Sequence, residues 1–208
     1  MARVGWEDQP FTSTDLGLVE GAALLFGHDS EHALDCVVDL VNTAPSASTE
    51  ERLPDLAALA AFVAVHQVSE VGELTEADLR AVRALRSALG AVFDCKDDAS
   101  AAAAVNRLVA GAGVTPRLTD HDGYSWHIHY FVPGASLAEH LATDCGMALA
   151  HVVAAGERER LRRCAAPDCR QVLVDLSRNR SKRYCDARTC GNRLHVAAYR
   201  ERQRASST

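Results

Sequence analysis

The sequence contains no long apolar run. No window approaches the roughly 18 unbroken apolar residues of a membrane span, so no membrane role is expected. The first 17 residues, MARVGWEDQPFTSTDLG, are acidic and lack an apolar core, so they do not read as a targeting segment, and the expected location is cytoplasmic. There is no glycine-rich phosphate loop, no internal repeat, and nothing that sets out a catalytic triad. Strands and helices do not alternate, which argues against a doubly wound parallel sheet. Aromatic residues are scarce at 5%, but 48% hydrophobic and 24% charged residues are globular proportions. At 208 residues the chain has room for one ordinary domain plus a small module, or for two small domains.

Seven cysteines is an odd number, which argues against a closed disulfide framework. Paired thiols in a reducing compartment point to metal binding or redox chemistry, and the Cys-x-x-Cys redox spacing is absent. Charge is unevenly spread. Residues 157–208 hold 14 Lys+Arg against 6 Asp+Glu, a balance of +8. Residues 1–156 hold 8 against 22, a balance of −14. An acidic body thus ends in a basic module, and that asymmetry suggests a polyanion partner for the basic part alone.

Most of the body reads as helix. The first 28 residues are ambiguous. Helices are expected over HALDCVVDLVNTAP, with Leu34, Val37, Val38 and Val41 on one face and Pro45 following its end, and over LPDLAALAAFVAVHQ, with Leu56, Leu59, Phe62 and Val63. A third helix repeats Leu79, Val82, Leu85, Leu89 and Val92 after a capping-box-like Thr75 and Asp78. A fourth ends at Gly111 and Gly113. The period then changes to two. Tyr124, Trp126, Ile128 and Tyr130 alternate with Ser125, His127 and His129 after the turn signal Asp120-His121-Asp122-Gly123, which predicts a β-hairpin. His127 and His129 share one side of that strand as a weak metal candidate with no carboxylate at a fixed offset. A long last helix of the body is expected to run from Gly134 into Cys164.

Cys164 and Cys169 enclose four residues, and so do Cys185 and Cys190, with fifteen residues between the pairs. That spacing folds two sulfurs onto one ion at each pair and leaves enough chain for a hairpin between the pairs. It fits one tetrahedral Zn²⁺, with all four positions filled by protein, which makes the metal structural and argues against a hydrolase. The competing readings are four independent core thiols or two disulfides. Arg163, Arg170, Arg183 and Arg188 stand close enough in sequence to offset the thiolate charge. Cys36, Cys95 and Cys145 read as small buried hydrophobes.

The segment RRCAAPDCRQVLVDLSRNRSKRYCDARTCGNR resembles the CGNR zinc-finger family, named for the tetrapeptide Cys190-Gly191-Asn192-Arg193. Val174 and Tyr184 stand where members more usually carry phenylalanine and tryptophan. The preceding chain is similar to that family's N-terminal ABATE domain, with DLVNT (Asp39 to Thr43), LPDLAALAAFV and LTEADLRAVRALRSAL in the expected order. The resemblance implies a stress-related transcriptional regulator of bacteria.

The residues independently permit a nucleic-acid surface. Ser177 to Arg183, SRNRSKR, packs four cations, two hydroxyls and an amide into seven residues, all phosphate-contacting groups. A helix is expected after Cys190, and Arg193, Ala197, Arg200 and Arg204 would share one stripe on it. Candidate DNA contacts are Arg178, Arg180, Lys182, Arg183, Asn192, Arg193, Arg200 and Arg204, with Asn192 and Arg193 of the types that read base edges. In the body, Asp39, Asn42, Arg83 and Arg86 are weak candidates for an anionic effector site. Their plainer reading is a helix cap and an exposed arginine face.

These readings predict a mainly α (α+β) protein. Residues 1–156 form a helical domain with one β-hairpin, serving as a sensor, a dimerisation surface or both. Residues 157–208 form a four-cysteine zinc finger ending in a helix. The expected function is zinc-dependent DNA binding in transcriptional regulation, without enzymatic activity. The rivals are a zinc finger that docks acidic protein, and a small-molecule binder or enzyme acting through the N-terminal domain.

Overall fold

The computed structural model describes residues 28–46, 49–120 and 126–192, with positions 196, 199, 203 and 204. Of the ambiguous first 28 residues, all but His28 lie outside the described residues, as do residues 121–125 of the expected hairpin turn. Among the described residues five α-helices have defined bounds, in order α1 (His28–Asn42), α2 (Leu56–Val65), α3 (Glu76–Val92), α4 (Asp98–Ala110) and α5 (Leu137–Ala154). The antiparallel pair β1 (Val114–Thr119) and β2 (His127–Phe131) separates α4 from α5. A second pair, β3 (Leu161–Arg163) and β4 (Val172–Val174), follows α5. The mainly helical architecture with a small zinc-finger region is the expected one.

The helices begin where their side chains satisfy the free N–H groups of the first turn. Asp78 N–H donates to Thr75 Oγ1 at 3.3 Å, and Thr75 N–H donates to the Asp78 carboxylate at 2.9 Å. The same reciprocal capping starts α4 with Asp97 and Ser100 and α5 with Ser136 and Glu139. Their apolar faces meet in one core. Leu34, Val37 and Leu40 of α1 pack with Leu79, Val82 and Leu89 of α3 and with Cys145, Leu149 and Val152 of α5. Gly146 of α5 lets α4 pack close against it: an added Cβ there would lie 2.8 Å from Val109 Cγ2.

One expectation about the helices needs correction. The last body helix does not reach Cys164. It stops at Gly156, whose φ of +69° suits glycine. Gly156 N–H donates to Val153 O and Glu157 N–H to Val152 O, both at 3.0 Å, the paired bonds of a Schellman motif. A short 3₁₀ turn, Arg158–Arg160, then leads into β3. The alternation expected for β2 holds: His129 and Phe131 turn inward, while Ile128, and Trp126 just before the strand, are exposed. Leu118, paired with Ile128 across the ladder, is exposed on the same face.

Strand β4 serves two clusters at once because successive side chains leave opposite faces. Val172 and Val174 join the helical core, together with Leu161 of β3. Leu173 points the other way, into a small cluster with Cys164, Ala166 and Cys190.

The segment between α1 and α2 is fastened to α3 by charge. Arg86 donates to both oxygens of Glu51, at 2.6 and 2.5 Å, and to Thr43 Oγ1 at 3.1 Å. These bonds hold the Glu51 carboxyl at about 2, well below its ordinary value. A depressed carboxylate stabilises the fold above its unfolded pKa, and that stability is lost as pH falls through the folded value. Denaturant unfolding at pH 7, 5 and 3 checks this. Glu51→Gln should cost about 1–3 kcal/mol at pH 7, and its further loss between pH 5 and 3 should be smaller than that of the parent.

Candidate functional site

The four expected thiols converge. Cys164 and Cys169 occupy the loop of the β3–β4 hairpin, so the hairpin closes across the first pair rather than between the pairs as expected. Cys164 N–H donates to Gln171 O at 2.9 Å, and Cys169 N–H to Ala166 O at 3.2 Å. Asp168 takes φ +63° to let the loop turn. Ala165 N–H donates to Arg183 O at 2.9 Å, which lays the approach to Cys185 alongside this loop. Cys190 lies in a π-helical turn, Ala187–Gly191, closed by Gly191 N–H to Asp186 O at 3.0 Å. The Asp186 carboxylate accepts Thr189 N–H at 2.8 Å and so caps the turn.

All four sulfurs lie within 4.8 Å of one another. Cys169 Sγ is 3.8 Å from Cys185 Sγ, which is 3.7 Å from Cys190 Sγ. Four sulfurs at roughly 2.3 Å from one ion stand about 3.8 Å apart along each tetrahedral edge, so the cluster fits zinc. Cys185 N–H points at Cys164 Sγ, 3.4 Å away. At Cys164 burial raises the thiol pKa, but the Cys185 and Ala166 amides outweigh it and the net shift is downward. Burial and the neighbouring thiols push Cys185 up, the cost of crowding four sulfurs without a cation. A divalent ion removes that cost by holding all four as thiolates. Among the other cysteines, Cys36 and Cys145 are buried as expected, whereas Cys95 is only partly so.

Comparison with known families agrees with this geometry. Residues 34–156 match the ABATE family profile, described as "Putative stress-induced transcription regulator". Residues 160–203 match the profile described as "CGNR zinc finger". The chain belongs to the ABATE family and carries a CGNR zinc finger. No functionally curated protein matches it. Its cofactor is one structural zinc, held by Cys164, Cys169, Cys185 and Cys190.

The basic loop of the finger is built around a residue the sequence reading passed over. Asp175 is completely buried. Its Oδ1 accepts Ser177 N–H at 3.0 Å, and its Oδ2 accepts Lys182 N–H at 2.8 Å and the Arg162 guanidinium at 3.1 Å. Burial works against its charge, but the Ser177 and Lys182 bonds prevail and keep the carboxyl below its ordinary value. Both ends of the SRNRSKR loop are thereby gathered onto one carboxylate. Arg160, also buried, donates to Asp175 O at 2.7 Å and Ser177 O at 2.9 Å.

The candidate cations of this loop differ in their surroundings. Arg178, Lys182 and Arg183 are exposed. Arg180 reaches back to the Glu157 carboxylate at 2.7 Å. Of the candidates expected on a helix after Cys190, Asn192 and Arg204 are exposed, while Arg193, Ala197 and Arg200 lie outside the described residues. Four more cations of the basic module serve the fold. Arg158 pairs with Asp98 at 2.8 Å, Arg160 with Glu157 at 2.7 Å, Arg162 with Asp175, and Arg163 with Asp94 at 2.7 Å. The Arg163 guanidinium holds the Asp94 carboxyl below its ordinary value.

The four body candidates do not share one site. Asn42 spans the junction with the finger: its amide donates to Val172 O at 3.0 Å and accepts Val172 N–H at 2.7 Å. Arg86 is engaged with Glu51 and Thr43, and Arg83 with the Leu53 carbonyl at 3.0 Å. Asp39 lies 3.2 Å from His66 Nε2. A surface pocket between body and finger is lined by Asn42 and Arg86, with Asp94 and Arg163, but not by Asp39 or Arg83. The DLVNT stretch therefore supplies a backbone clamp through Asn42 and a hydroxyl acceptor for Arg86 through Thr43.

Two outcomes follow. Chelation should raise amide exchange across residues 164–191 while α3 and α5 stay protected; unchanged exchange after metal loss would remove the structural role of zinc. Asn42→Ala leaves both backbone groups of Val172 without their side-chain partner. It should cost about 1–3 kcal/mol, read in denaturant unfolding, and should speed exchange at Val172.

Proposed function

We propose that the protein is a zinc-dependent DNA-binding transcriptional regulator, acting by binding and not by catalysis. The observation that carries this reading is the loop from Ser177 to Arg183. Its backbone is held from inside by the buried Asp175 carboxylate, and Arg178, Lys182 and Arg183 are exposed beside the zinc centre. A rigid loop with cations pointing outward suits phosphate oxygens, because the backbone is already ordered before binding. Asn192, exposed two residues after the zinc ligand Cys190, has the chemistry to contact a base or a phosphate. The family description of a transcription regulator agrees with this use.

Docking of the finger to acidic protein is a separate reading with one observation behind it. The finger already docks the acidic body of its own chain through Arg163 with Asp94 and Arg158 with Asp98. Those contacts leave Arg178, Lys182 and Arg183 of the loop exposed for another partner. The body then acts as sensor or dimerisation surface, the roles proposed for residues 1–156. For a small-molecule effector, the pocket beside Asn42 and Arg86 is a candidate site.

Selection from a random duplex pool with the zinc-loaded chain tests the reading, with binding then followed against salt. Affinity should fall steeply as salt rises, and Arg178→Ala or Arg183→Ala should each lower the slope of log K against log salt by about 1. Arg180→Ala should change it less, because Glu157 already neutralises that side chain. No retention of duplex at near-physiological salt would reject DNA binding and leave protein docking as the function of the finger.

A further inference from the structure

A second group of metal-ligating side chains lies on elements other than those of the zinc finger. His140 and Asp144 stand one turn apart on α5, and His129 comes from β2. One ligand atom from each lies within 4.8 Å of the others. Asp144 Oδ2 is 3.1 Å from His140 Nε2 and 3.6 Å from His129 Nδ1. Imidazole and carboxylate ligands sit about 2.0–2.2 Å from zinc, so two of them around one tetrahedral ion are about 3.4 Å apart. The two observed separations lie on either side of that value.

The surroundings hold these groups in place. Both histidines are buried, at 8% and 5% exposure for His129 and His140. Phe131 stacks on the His140 ring with centroids 3.6 Å apart and meets His129 edge-on at 4.9 Å. The other carboxylate oxygen, Asp144 Oδ1, accepts Tyr130 N–H at 3.3 Å. That contact orients the carboxylate so that Oδ2 faces both imidazoles, as outer hydrogen bonds orient ligands in metal sites. A simple helical hydrogen bond accounts for His140 and Asp144 alone. It does not account for a third potential ligand, from another element, turned toward the same oxygen.

We propose that His129 Nδ1, His140 Nε2 and Asp144 Oδ2 bind one divalent first-row transition ion, separate from the finger zinc. Two imidazoles and one carboxylate, with no thiolate, suit a borderline ion such as Zn²⁺, Co²⁺ or Fe²⁺. Three protein ligands leave a position for water or a small anion, in contrast to the closed four-sulfur centre. The ion ties β2 to α5, the helix whose end feeds into the finger.

The test uses the full chain. Dialysis against buffered micromolar Zn²⁺, followed by elemental analysis, should give two zinc ions per wild-type chain. Asp144→Asn and His129→Gln should each give one, with helical circular dichroism unchanged. His129→Gln lies outside the helices and guards against misfolding in α5. Co²⁺ added after the finger is filled with zinc should give weak visible d–d bands without thiolate charge-transfer absorption in wild type, and neither band in the variants. One zinc per wild-type chain, or two retained by both variants, overturns the proposal.

Discussion

A hairpin with three residues in each strand is not stable alone in water, because it closes too few hydrogen bonds and buries too little apolar surface. The zinc finger of this protein starts from such a hairpin, and the helical body makes it stable. Val172 and Val174 are buried in the body's core, and the Asn42 amide satisfies both backbone groups of Val172. Once β4 is held, Leu173 must face the opposite way, and the first cysteine pair is presented at the hairpin loop. The metal centre is therefore assembled on a platform that the helices provide. Zinc completes it by relieving the repulsion among four crowded sulfurs.

The same junction explains the division of charge. The balance of +8 over the last 52 residues reads in sequence as one basic patch. In the fold it separates into cations that hold the structure and cations left for a partner. Arg158 and Arg163 bind carboxylates of the acidic body, while Arg160 and Arg162 bind Glu157 and Asp175 within the finger. The loop from Ser177 to Arg183 keeps its outward charge because Asp175 organises its backbone and not its side-chain cations, apart from Arg180 with its partner Glu157. Net charge alone thus overstates the surface available to a polyanion.

Helices were legible in the sequence because a 3.6-residue apolar period and reciprocal caps are local signals. Thr75 with Asp78 was readable for that reason. The end of α5 was not, since GERERLRRC looks like helix by propensity. The outcome turned on Gly156 entering the left-handed region and on Leu161 finding a place in the core, and the second of these is a long-range event. The hairpin β1–β2 was found by its period of two, but its inward face was not. Burial of His129 depends on Phe131, His140 and Asp144, which its own strand pattern does not announce. The signal for that cluster was present as a histidine and an aspartate four residues apart on one helix, but nothing local joined them to β2.

What the sequence determined by itself was the set of helices, the metal-binding character of two cysteine pairs, and the basic nature of the final module. Each rests on spacing between near neighbours, where the chain's geometry leaves few choices. Tertiary structure decided which arginines are free to meet a partner, which face of each hairpin is buried, and that Asn42 clamps the finger to the body. Those outcomes depend on groups 30 to 130 residues apart meeting in space, as Arg83 meets Leu53 and Asn42 meets Val172. A buried polar group takes whatever partner the packed fold brings to it, and spacing along the chain does not carry that information.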